Sequence, residues 1–146
     1  MNNNEQLGWI FFSIGENNFA LEQAKVKSVI ETAGLIGSDE RGIWITKNEY
    51  PIIRTDKNLC HQSGMLRRFG VLIESVQSPI GVLCDQINIF SKNQVEKIYP
   101  LPNIFKGTEN TAAGFIQFQD ESIAMIVDVI SLGILLSNLE TQYGKN

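Results

Sequence analysis

Short apolar runs rich in β-branched and aromatic residues recur along this chain, each closed by a cluster of Gly, Asn, Asp, Ser or Pro. That pattern predicts strands rather than helices. The clearest stretch is Phe69 to Phe90. One apolar run ends at the polar turn Gln77-Ser78-Pro79, a second meets the lone carboxylate of Asp85, and a third begins at Ile87. Tight spacing predicts an antiparallel meander. An acid bracketed by Leu83-Cys84 and Ile87 needs a hydrogen-bond partner or an exposed sheet edge. If it accepts backbone N–H groups at a turn, it is a determinant of the fold.

The same style runs through the rest of the chain. Gly8 to Ile14 and Phe19 to Leu21 read as a strand pair around Gly15-Glu16-Asn17-Asn18, and Val26, Val29 and Ile30 mark a strand or a short helical turn. Leu35 to Arg41 is a loop; Ile43 to Ile45 and Tyr50 to Ile53 form a hairpin with Thr46-Lys47-Asn48-Glu49 at its tip. Pro51 cannot donate to a ladder and belongs at an edge or strand start. Lys57 to Arg68 reads as a polar connection, Gln94 to Ile98 as a further segment, and Pro100 to Thr111 as a loop. A last hairpin, Gly114 to Phe118 and Ser122 to Val127, turns at Gln119-Asp120-Glu121. Beyond Asp128 the period changes: Ile130, Ile134, Leu135 and Leu139 have helical spacing.

These elements predict an all-β fold of two small five-stranded antiparallel barrels packed side by side, with a short C-terminal helix. The 146 residues suit a single domain, with one subdomain over about 9–66, a second over about 67–130 and the helix over about 131–142. Each half alone is of a size that is marginally stable, so two barrels sharing a groove are expected.

Composition narrows the function. A net charge of −4 argues against phosphate neutralisation on nucleic acid, and Arg67-Arg68 is too small a cluster to alter that. Lys25 and Lys27 fit the solvated face of an edge strand. Cys60, Cys84 and the single His61 cannot build a zinc site without acidic ligands. The N-terminus has neither the basic nor the apolar part of a signal peptide, and Ile123 to Leu136, broken by Asp128 and Ser131, is too short to span a bilayer. A cytoplasmic protein with no direct membrane insertion is expected. No phosphate-binding glycine loop and no nucleophile elbow occur. Glu74, Asp85, Asp120, Glu121 and Asp128 fall at turns, strand ends or outward positions, so we expect no enzyme, no catalytic residue, no cofactor and no metal. Trp9, Phe11, Phe12 and Phe19 suit a small barrel's core; Trp44, beside a hairpin tip, fits either core or a partly exposed contact.

Taken in order, these segments resemble the CheW-like domain of bacterial chemotaxis coupling proteins. The resemblance rests on Phe19-Ala20-Leu21 with Val26 and Val29-Ile30, then Gly42-Ile43-Trp44-Ile45 followed by Pro51-Ile52-Ile53. It continues through Val71-Leu72-Ile73, Gly81-Val82-Leu83-Cys84-Asp85-Gln86-Ile87, Pro100-Leu101-Pro102, Gly114-Phe115-Ile116 and Ile123 to Asp128, about residues 9–136 in all. It implies two five-stranded barrels and a non-enzymatic adaptor that couples transmembrane chemoreceptors to a CheA-type histidine kinase. The partners implied are the kinase's regulatory domain and the receptor's cytoplasmic tip, with no nucleic acid. The contact residues expected are Trp44, Lys47, Asn48 and Glu49 at the first hairpin, with Asp85, Gln86 and Ile87 near the groove.

There are departures from that pattern. The family's tip usually reads Arg-Gly, where this chain has Lys47-Asn48 on a shorter loop. Asparagine tolerates the left-handed conformation that glycine supplies, so the turn is expected to survive. Lysine keeps the charge and loses the planar fork. Ser28 replaces an acidic residue common before the first barrel's Val-Ile, and Asp56 follows Pro51-Ile52-Ile53 only after Arg54-Thr55. A coupling-like protein for another kinase or motility system, and a small-molecule module using the inter-barrel groove, are the alternatives.

Overall fold

The computed structural model describes residues 8–35, 43–60, 62–74, 79–100, 112–130 and 132. Eleven strands lie among them: β1 (Trp9–Ile14), β2 (Asn17–Glu22), β3 (Val26–Glu31), β4 (Ile43–Ile45), β5 (Pro51–Ile53), β6 (Phe69–Ile73), β7 (Ile80–Cys84), β8 (Gln86–Phe90), β9 (Val95–Pro100), β10 (Ala112–Phe118) and β11 (Ile123–Val127). They form a six-stranded sheet in the order β8-β1-β2-β11-β10-β9 and a five-stranded sheet in the order β3-β6-β7-β5-β4. The all-β class is observed. The expected pair of closed antiparallel barrels is not: both sheets are open, and each contains one parallel junction, β11 with β2 and β5 with β7. The reason is connectivity. A strand delivered by a tight turn runs antiparallel to its predecessor. Strands β2 and β11 come instead from opposite ends of the chain, and β6 intervenes between β5 and β7.

The two sheets share one design. Replacing β3, β6, β7, β5 and β4 in turn by β8, β1, β2, β11 and β10 reproduces both the spatial order and every parallel or antiparallel relation. One sheet runs through its strands in unbroken chain order. The other is a circular permutation that begins at β8, passes through the termini and ends at β2, with β9 as an extra edge. Each sheet therefore draws strands from both sides of residue 66.

Period-two alternation separates three apolar clusters. Between the sheets lie Phe12, Ile14, Phe19 and Leu21 from one and Ile53, Val71, Ile73, Val82 and Cys84 from the other. The opposite face of the six-stranded sheet gathers Trp9, Phe11, Phe90, Ile116 and Phe118, with Phe90 stacked on Phe118 at 4.1 Å between ring centroids. The opposite face of the five-stranded sheet carries Trp44, Ile52, Leu72 and Leu83. Gly81 sits inside β7 because it is paired with Ile52: a Cβ there would lie 2.7 Å from Ile52 Cγ1.

Three loops share one hydrogen-bond circuit. At Thr46–Tyr50, Asp56–Cys60 and Phe118–Ser122, the first amide donates to the fifth carbonyl and the fourth amide donates to the first carbonyl. The fourth residue is left-handed each time: Glu49 at φ 67°, Leu59 at 62° and Glu121 at 70°. The left-handed residue of the first hairpin tip is therefore Glu49, not the expected Asn48. In the middle loop the Asp56 carboxylate accepts the amides of Asn58 and Cys60, and Leu59 is driven into the inter-sheet core. At the chain's far end, Leu132 N–H donates to the Asp128 carbonyl in a helical bond and Leu132 is buried. The remainder of the expected helix over 131–142 lies outside the described residues, as do the turn at Gln77-Ser78, His61 and the loop 101–111.

Candidate functional site

The β4–β5 hairpin is built on a buried foot. Within β4, Trp44 is 3% exposed and packs on Ile52, Leu72 and Leu83, with Ile30, Leu35 and Tyr50 around it. The indole ring is thus core, the first of the two roles open to it, and its Nε1 has no hydrogen-bond partner among the described residues. Alternation then turns Ile45 outward at 50% exposure. Thr46 closes the loop by accepting the Tyr50 amide on Oγ1 at 3.0 Å. Lys47, Asn48 and Glu49 are exposed at the tip. Nearby, Lys27 lies 5.6 Å above the Tyr50 ring and 4.0 Å from the Glu74 carboxylate. The tip is a charged, solvated surface with one exposed aliphatic residue at its base. Ile45 belongs with it, and the signal was available: once Trp44 points inward, its strand neighbour must point out.

The second group lies elsewhere. β5 and β7 run parallel, with Ile52 beside Gly81 and Ile53 beside Val82, so the tip precedes this level and Asp85 follows it. The two groups sit at opposite ends of the strands, on the order of 20 Å apart along them. They do not form one site.

Asp85 is the centre of a polar knot at that far end. One carboxylate oxygen, Oδ2, accepts the Gly15 N–H at 2.8 Å, and Oδ1 lies 3.5 Å from Arg67 Nε. The Asp85 amide donates to the Ser13 carbonyl at 2.8 Å. Arg67 reaches on through Nη1 to the Thr55 carbonyl at 2.7 Å, while its own carbonyl accepts the Thr32 hydroxyl. Burial, and then the nearby Arg54, lower the Arg67 pKa from its ordinary value; Asp85 acts in the opposite direction. Burial first and Asp85 second push the Cys84 thiol up to about 12, so it stays protonated. The knot joins the β1–β2 turn, the β7–β8 corner and the 54–67 loop. Gln86 is exposed at the start of β8, opposite Ser13, and Ile87 is half-buried against the inter-sheet core. Sequence reasoning set Arg67 aside as part of a small basic pair. No local pattern marks its pairing with Asp85, because the partner is distant in the chain.

Among the described residues, no cluster of three or more His, Cys, Asp or Glu is arranged to hold a metal ion, and no helix is long and apolar enough to cross a membrane. No family model and no curated protein matches the chain. A solved structure does: the scaffolding protein TtCheW from Thermoanaerobacter tengcongensis, over 87% of this chain and 92% of that one, with a TM-score of 0.63 and 17% identity. The chain has a CheW-like fold. In CheW-like terms, the β4–β5 tip and the Asp85 knot are two separate places on one double-sheet frame. The first is built of exposed side chains and the second of mutually satisfied ones.

Proposed function

We propose that the chain is a non-enzymatic adaptor, working in the cytoplasm, that couples a transmembrane chemoreceptor to a CheA-type histidine kinase. The observation that carries this reading is the CheW-like double sheet, held over nearly the whole chain and shared with a scaffolding protein. In this reading the receptor's helical cytoplasmic tip meets the β4–β5 hairpin. Ile45 offers apolar contact there, and Lys47 and Glu49 supply opposite charges at its edge, the arrangement of an apolar centre with a polar rim. The kinase's regulatory domain takes a separate surface, because one small hairpin cannot serve both partners at once. A buried Trp44 acts through the hairpin, by holding its foot, rather than by touching a partner. Asp85 likewise acts by fixing its corner of the frame, leaving Gln86 as the exposed residue of that group.

Lys47 in place of a planar guanidinium favours a receptor or kinase system with its own pairing rules, since ammonium binds a carboxylate as a point charge and not as a fork. The test is calorimetric titration of the chain against the host's receptor cytoplasmic fragment and its kinase regulatory domain. Both should bind, and Lys47→Glu should weaken the receptor at least about tenfold while sparing the kinase. Wild-type binding to receptor without any binding to kinase overturns the adaptor reading. Unchanged receptor affinity in a folded Lys47→Glu protein overturns the placement of the receptor at the tip.

A further inference from the structure

Open sheets have edges, and a strand edge with free N–H and C=O groups invites another strand unless something deters it. Of the four sheet edges among the described residues, three carry a deterrent. The edge strand β3 holds exposed Lys27 and Glu31 and has a register shift near Val26. Strand β9 holds Glu96, Lys97 and Pro100, and β4 has only three residues. Strand β8 has none of these: Gln86-Ile87-Asn88-Ile89-Phe90 has no charge and no proline, and pairs with β1 without a shift. In the permuted design β8 is the counterpart of β3, so one of two equivalent edges is guarded and the other is not. Ile89 stands on it at 63% exposure, next to the buried Ile10.

We propose that β8 is a self-association edge, pairing antiparallel with β8 of a second copy of this chain about a two-fold axis at Asn88. The sequence complements itself in that register. Asn88 faces Asn88, Gln86 faces Phe90, and Ile87 faces Ile89 on both sides of the axis, as a two-fold contact requires. The four isoleucines then form one patch on the face that already holds Ile10 and Phe12, and the exposed surface of Ile89 is covered. Shifting the register by a single residue breaks the isoleucine pairs: one slip sets Ile87 against Asn88 and Ile89 against Gln86, and the other sets Ile89 against Asn88. The product is a single sheet running through both copies, with the hairpin tips left free.

The test uses the full chain. Sedimentation equilibrium from micromolar to submillimolar loading should show a monomer–dimer equilibrium, and Ile89→Lys should abolish the dimer with an unchanged circular dichroism spectrum. In a Cys60→Ser background, Asn88→Cys places two thiols across the axis at about 4.5–5.5 Å between Cα atoms, within disulfide reach, so mild oxidation should give a covalent dimer. Ile123→Cys, exposed on β11 in the same sheet, should give none. A protein that stays monomeric throughout overturns the proposal. So does a dimer that survives Ile89→Lys, or one that cross-links through Ile123→Cys and not through Asn88→Cys.

Discussion

Asp85→Ala should destabilise the protein by about 2 kcal/mol, and the geometry allows that figure to be assembled. The variant removes the acceptor for the Gly15 N–H at 2.8 Å. A hydrogen bond to a charged acceptor contributes about 1.5–3 kcal/mol, with the low end appropriate at this solvent-facing turn. It also removes the ion pair at 3.5 Å with Arg67, whose side chain is only 11% exposed. Because Asp85 itself is 44% exposed, solvent screening holds that part to about 1 kcal/mol or less. Asp85→Asn keeps an oxygen for the Gly15 amide and cannot neutralise Arg67, so roughly half the loss is expected. Urea unfolding with linear extrapolation measures both variants. A double-mutant cycle with Arg67→Met isolates the pair, and a coupling of about 0.5–1 kcal/mol is expected. Loss below about 0.5 kcal/mol for Asp85→Ala, or an additive cycle, would show that the three segments are not held by this carboxylate.

Glu49→Gly should stabilise the protein by up to about 1 kcal/mol, because a side chain at φ 67° carries a left-handed penalty that glycine lacks. Asn48→Gly should give no such gain in the same thermal melts. Leu59→Ala should cost about 2–5 kcal/mol by denaturant titration, since Leu59 is 1% exposed and plugs the inter-sheet core from its own loop. The Cys84 thiol gives a pH signature. The unfolded chain releases this proton near the ordinary value of 9.0, and the folded chain holds it to about 12. Native stability is therefore lost progressively as pH rises above 9 toward 12, a slope that Cys84→Ala should lack in unfolding titrations at several pH values.

Most of the strands were legible in the sequence because they show a run of β-branched and aromatic residues between turn formers. Nine of their approximate positions needed only that pattern, Val26–Glu31 resolved as a strand from the two options open to it, and Val95–Pro100, with Glu96 and Lys97 breaking its run, was marked only as a segment. The parallel junctions were not legible. Period-two alternation states which face a residue occupies and says nothing of the direction of its neighbour, so β5 beside β7 looks the same as an antiparallel pair. Leu59 escaped notice for a related reason: a single leucine in a polar loop has no period, and its burial depends on the Asp56 turn that points it inward. Trp44 illustrates the opposite case. Its apolar neighbours left core and contact both open, and only the three-dimensional packing of Leu72 and Leu83 against it decides between them. At the hairpin tip, composition located the turn correctly, but the choice of left-handed residue follows from the bond circuit, which falls one position later than asparagine.

The permuted sheet sets a timetable for synthesis. Strands β3 to β7 leave the ribosome consecutively and find all their sheet partners among themselves. Strands β1 and β2 leave first and wait for β8, β10 and β11, which leave last. At ~5–20 residues per second, about a hundred residues of delay amounts to roughly 5–20 s. Through that interval the Trp9–Ile14 hairpin strand, apolar on both faces in the finished molecule, has only β2 as a sheet neighbour. A nascent chain stalled after β7 would display a complete five-stranded sheet beside an unsatisfied hairpin, which makes this stage the natural point for chaperone capture.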